Sequence, residues 1–99
     1  MVSESEDLLI HNALNEALHG LPETHSVQKL LLQKKKLEQI ADEWARKPCQ
    51  DLIAAHRETI IECVRTVLGE LGEAEFETRI GVDVRIAQVF LKRICNSSD

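Results

Sequence analysis

Ninety-nine residues with a net charge of −5 and 43 % hydrophobic content suffice for a single domain spanning residues 1–99 that buries roughly two thirds of its unfolded surface. With Trp44, Phe76 and Phe90 as the only aromatics, four Gly and two Pro, the core must come from Leu, Ile, Val and Ala, and few long helices are favoured over many short strands. The acidic balance excludes a protein whose whole surface binds phosphate, and no apolar run approaches the roughly eighteen residues of a membrane span.

The first predicted helix covers about residues 4 to 19. Ser3 with Glu6 three residues later reads as a capping box, and Ile10, Ala13, Leu14, Ala17, Leu18 and Leu21 follow at helical spacing. Gly20 is expected to adopt the left-handed conformation that closes a helix, with Pro22 preventing its continuation. A second helix is expected to start near residues 23 to 26. It carries Val27, Leu30, Leu31, Leu37, Ile40, Ala41 and Trp44, and its apolar face is narrow. Pro48 disfavours helical geometry at Lys47, so a tight break is expected there, with one kinked continuous helix as the alternative.

The third predicted helix, about residues 49 to 68, carries the clearest signal. Cys49, Ile53, His56, Ile60, Cys63 and Val67 alternate in steps of four and three, the spacing that stacks side chains along one side of an α-helix. Leu52, Ile61, Val64, Leu68 and Leu71 widen that arc. Gly69 and Gly72 are expected to bracket a turn, and Glu73, Glu75 and Glu77 suit the positive end of a fourth helix. In that last segment Phe76, Ile80, Ala87, Phe90 and Ile94 share a helical stripe flanked by Val84 and Leu91. Ile80, Val82, Val84 and Ile86 also alternate as a strand would, but a lone strand lacks a partner for its backbone, so helix is preferred. On a helix, residues 80 to 95 are apolar almost all the way round.

These readings predict an all-α bundle of about four helices. The second and third helices form an antiparallel hairpin, the fourth returns beside the third, and the first covers an open side. The excess apolar surface predicts a non-catalytic module for protein interaction and assembly, a homo-oligomer or the binder of a protein partner. Its interface would hold Ile53, His56, Ile60, Val67, Ile80, Val84, Phe90 and Leu91. In general look the chain resembles small helical accessory proteins of bacteria and their phages, although no motif carries the likeness.

Chemistry-bearing constellations are sparse. Three cysteines, Cys49, Cys63 and Cys95, form no C-x-x-C and, with no basic and apolar leader at the start, suggest a reduced, cytoplasmic setting. Cys49, His56 and Cys63 share a helix face. Seven residues rise about 10.5 Å, too far for one ion within one helix, so no metal or other cofactor is expected, and a metal or small-ligand site using His56 with Cys49 or Cys63 needs a second helix or subunit. Lys34, Lys35 and Lys36 fan over roughly 200° of helix surface. A weak nucleic-acid regulator using this patch is the other alternative, but no aromatic is interleaved for base stacking. A helix-turn-helix with Gly69 to Gly72 as its turn would bring Glu73, Glu75 and Glu77 against phosphates, which counts against it. No nucleophile elbow, Walker loop or dinucleotide fingerprint is present, so no catalysis is expected.

Overall fold

The computed structural model describes residues 4–46 and 49–96, the side chains of Cys49 and Asn96 excepted. Among the described residues there are six α-helices and no strand: α1 (Glu4–His19), α2 (His25–Leu31), α3 (Lys34–Glu43), α4 (Cys49–Ala55), α5 (Arg57–Ile80) and α6 (Val84–Asn96). The all-α expectation holds, while the count of about four helices does not. Each of the long segments expected after the first helix is interrupted by a local break.

The first helix has the predicted length, but Gly20 is not left-handed. Among the described residues only Gly72 and Gly81 have positive φ. The Glu16 carbonyl instead accepts from the N–H groups of both Gly20, at 2.8 Å, and Leu21, at 3.0 Å. A Cβ at position 20 would lie 2.6 Å from Glu16 Oε1 and 2.8 Å from Arg79 Nη2, so a side chain there would displace the ends of two flexible side chains that pair with each other. Ser3 lies outside the described residues. Glu6, its expected capping-box partner, is buried and pairs with Arg93 of α6 at 2.7 Å.

The second predicted helix breaks at Leu32 and Gln33. Thr24 caps α2 by accepting from the Val27 N–H at 3.3 Å. At the break Gln33 leaves helical geometry (φ −103°, ψ 23°) and is held from the side. Its amide nitrogen donates to Glu62 at 2.7 Å, and its oxygen accepts from the buried Thr59 hydroxyl at 2.8 Å. Lys47 and Pro48 lie outside the described residues, but α3 ends at Glu43 and α4 begins at Cys49.

His56 interrupts the third predicted helix between α4 and α5 (φ −126°, ψ 31°). The hydrogen-bond ladder crosses this bend, since His56 N–H donates to the Leu52 carbonyl at 2.9 Å and Ile60 N–H to the His56 carbonyl at 3.0 Å. Gly69 stays helical, and the expected turn narrows to Gly72 (φ 76°, ψ 169°), which splits α5 into residues 57–71 and 73–80. The fourth predicted helix is broken in turn at Gly81.

Gly81 closes α5 in the left-handed conformation (φ 85°, ψ 11°), its N–H bonding the Glu77 carbonyl at 3.0 Å. Asn12 Nδ2 of α1 donates to the Ile80 carbonyl at 2.7 Å, and the Asp83 carboxylate accepts from the Arg85 N–H at 2.8 Å. A side chain at position 81 would meet little, the nearest atom being Leu8 Cδ2 at 3.8 Å, so the penalty of substitution is conformational. We predict that Gly81→Ala lowers stability by about 1–2 kcal/mol, measured by urea denaturation. A neutral result would show that the turn is not left-handed in solution.

Packing also rearranges the predicted topology. The most extensive contact is between α1 and α5, α3 lies against α1, α2 against α5, and α6 against both α5 and α1. The first half of the second predicted helix therefore packs on both α5 and α1 and the second half chiefly on α1, and the simple hairpin with the third is replaced. Nor does α1 merely cover an open side: Leu9, Ile10, Ala13, Leu14 and Ala17 are all buried in the central cluster. Its C-terminal end is fastened to α5 by Arg79, which pairs with Glu16 and donates to the Gly20 carbonyl at 3.2 Å. The single cluster takes residues from α1 through α6, including Leu30, Leu37, Ile40, Trp44, Leu52, Ile60, Phe76 and Phe90.

Candidate interaction surface

Most of the residues expected at an interface are consumed by this core. Ile60, Val67, Ile80 and Phe90 are fully buried and Val84 nearly so, while Ile53 and Leu91 are half-buried and packed against the cluster. His56 is half-buried at the α4–α5 bend. The reason is geometric: the breaks at His56, Gly72 and Gly81 fold one long apolar arc onto α1 and α6, so stripes on different sides of an unbroken helix meet the same interior. Among the described residues, Leu8, Leu32 and Val89 are the large apolar side chains left exposed.

The proposed metal constellation is not assembled among the described residues, where no three His, Cys, Asp or Glu side chains come together. The Cys49 side chain lies outside the described residues. Cys63 is in the core, and burial pushes its thiol from an ordinary 9.0 to about 12, so the thiolate that a metal would need is disfavoured. Cys95 is half-exposed and accepts a hydrogen bond from Arg65 Nη2 at 3.2 Å. It borders an open groove of about 460 Å³ with Arg57, Glu58, Ile61, Glu62, Arg65 and Thr66, where cations and carboxylates alternate.

A larger open groove, about 650 Å³, lies over the α2–α3 break. Leu31, Leu32, Gln33, Lys34, Lys35, Lys36 and Glu38 line it. Leu32 is 85 % exposed, and all three lysines are exposed. The break is not a loose loop, because Gln33 is tied to Thr59 and Glu62 of α5. None of the protein-family models, curated proteins or solved structures compared with the chain matches it.

Leu32 is the residue that sequence reasoning missed. The signal was the run Leu30, Leu31 and Leu32: at about 100° per residue three consecutive leucines span some 200°, so they cannot all enter one core face. Leu30 is fully buried, Leu31 is half-buried and Leu32 is left outside. The same arithmetic applied to Lys34, Lys35 and Lys36 predicts their fan, which the groove turns into a rim around Leu32. No helix of the described residues is long and apolar enough to cross a membrane.

Proposed function

We propose that this chain is a non-catalytic helical interaction and assembly module, of an accessory and cytoplasmic kind. The observation that carries the reading is Leu32, an 85 % exposed leucine on a break braced from α5 and bordered by three lysines. An apolar anchor with a charged rim is the usual anatomy of a protein contact, in which the anchor supplies affinity and the rim selects charge and speeds encounter.

The complementary partner is an acidic protein surface. A second copy is one such surface, because the chain carries −5 overall and exposes Glu73, Glu75 and Glu77 on α5. We predict that light scattering across about 10 µM to 1 mM gives a mass rising above the 11.2 kDa of one chain. Leu32→Glu should return it to the monomer, and Lys34→Gln with Lys35→Gln and Lys36→Gln should weaken association most at low salt, where exposed charges are least screened. A wild-type chain that stays monomeric throughout overturns self-association. Association that is indifferent to Leu32→Glu overturns this surface.

A further inference from the structure

The observed breaks create a helix-turn-helix in a place that differs from the one suggested by the glycines at 69 and 72. Gly72 separates residues 73–80 from the preceding part of α5, left-handed Gly81 ends that short helix, and α6 starts at Val84 after a turn of three residues, Gly81, Val82 and Asp83. Phe76 and Ile80 on the first helix, Val82 in the turn, and Ala87 and Phe90 on the second are all buried. These five positions lock the two helices together and leave one face of α6 outward. That face holds Arg85, Gln88, Val89 and Lys92, all exposed, at the i, i+3, i+4 and i+7 spacing of a single helical stripe.

We propose that this stripe of α6 is a binding face for duplex DNA, entering the major groove as the second helix of the motif. A helix with its side chains is about 10–12 Å across, and the B-form major groove is about 12 Å wide. The residue types suit the edges found there: Arg matches the two acceptors of guanine, Gln the donor–acceptor pair of adenine, and Val the thymine methyl. Charge agrees as well. In a chain of −5, residues 84–96 carry Arg85, Lys92 and Arg93 and no acid.

Not all of these cations are equally available. Arg93 pairs with Glu6 at 2.7 Å and lies 5.8 Å from the Phe90 ring, so it serves packing. Among the described residues no carboxylate forms an ion pair with the side chain of Arg85 or Lys92, while the Asp83 carboxylate accepts from the Arg85 backbone N–H at 2.8 Å and adds a negative charge at the start of α6. The acids that argue against a motif turning at Gly69 to Gly72 sit on its first helix in this arrangement, not on the one entering the groove. Glu77 is directed at the start of α6, its carboxylate 3.5 Å from the Val84 N–H, while Glu73 and Glu75 are exposed and hold affinity down. This face is separate from the Leu32 surface and does not depend on it.

The test is fluorescence anisotropy of the full chain with a labelled mixed-sequence DNA duplex of about 20 base pairs at about 50 and 200 mM salt. Two phosphate or base cations predict binding tighter than about 10⁻⁴ M at the lower salt and a loss of roughly 12-fold across that range. Arg85→Gln with Lys92→Gln should abolish both the binding and its salt dependence, with circular dichroism unchanged. Glu73→Gln with Glu75→Gln should tighten binding by relieving repulsion, and Lys34→Gln with Lys35→Gln and Lys36→Gln should leave it unchanged.

No saturable binding at 50 mM salt overturns the proposal and returns the α6 stripe to protein contact. So does binding lost in the lysine triple variant and retained in the α6 double variant. Equal affinity for duplex RNA, whose major groove is too narrow for side chains to read, also overturns it.

Discussion

Phe90→Ala is expected to remove about 3–5 kcal/mol of stability, because it deletes a fully buried aromatic ring and leaves a cavity that rigid neighbours cannot fill. For a domain of this size total stability is about 5–15 kcal/mol, so the variant should lose a large part of its urea resistance. The contact of the ring with the Arg93 guanidinium, at 5.8 Å, adds a smaller contribution of about 0.5–1 kcal/mol. Concentration separates two explanations. If Phe90 belongs to the chain's own core, the loss is the same at every protein concentration, whereas a residue at an interface between copies gives a loss that grows on dilution. Unfolding curves of wild type and variant at two concentrations about a hundredfold apart decide the matter. A loss below about 0.5 kcal/mol, the level of ordinary surface changes, would mean that Phe90 is not in the interior.

Stability should also fall as pH rises through the alkaline range, and buried Cys63 contributes to the fall. Burial raises the Cys63 thiol from 9.0 to about 12 in the folded chain. The sign follows directly. Below pH 9 the thiol is protonated in both folded and unfolded chains and pH has no effect through it. Above pH 9 the unfolded thiol loses its proton while the folded one keeps it, so the unfolded state gains. Each pH unit in that window removes about 1.4 kcal/mol, so the whole interval between 9.0 and 12 amounts to about 4 kcal/mol.

Lysines titrate in the same range, so the informative quantity is the difference between wild type and Cys63→Ala. The variant starts lower because it loses packing, then declines less steeply, and the two stabilities should converge as pH rises. Parallel curves between pH 9 and 12 would show that Cys63 is not desolvated. Thiol labelling gives the complementary readout, in which half-exposed Cys95 reacts in the native chain and Cys63 reacts on unfolding.

The interface face was the less legible part of the sequence. Ile60, Val67, Ile80 and Phe90 read as surplus apolar surface only while their segments are taken as long straight rods, and each break converts part of that surplus into core. Leu32 was hidden for the opposite reason. It looks like one more leucine of an apolar run until the bracing of Gln33 by Thr59 and Glu62, residues far along the chain, fixes which leucine is left outside. The helix-turn-helix was half legible: its glycines and its apolar stripe are in the sequence, but which glycine makes the turn was decided by backbone geometry at Gly72 and Gly81.

The sequence by itself determined the helical class, the extent of the first helix, and a core of aliphatic residues with Phe76 and Phe90, because periodicity and composition act locally and need no partner. It also determined that Cys49, His56 and Cys63 cannot meet on one helix, a consequence of rise per residue alone. Only the tertiary structure decided where the long helices break, that α1 lies at the centre beside α5, and which apolar side chains remain outside. A break at His56 or Gln33 sacrifices local helical geometry at residues that carry no strong stop signal. The break at Gln33 is stabilised by its side-chain bonds to Thr59 and Glu62, as the turn at Gly81 is braced by Asn12 on Ile80 and the end of α1 by Arg79 on Glu16, and such long-range contacts leave no periodic trace in the chain.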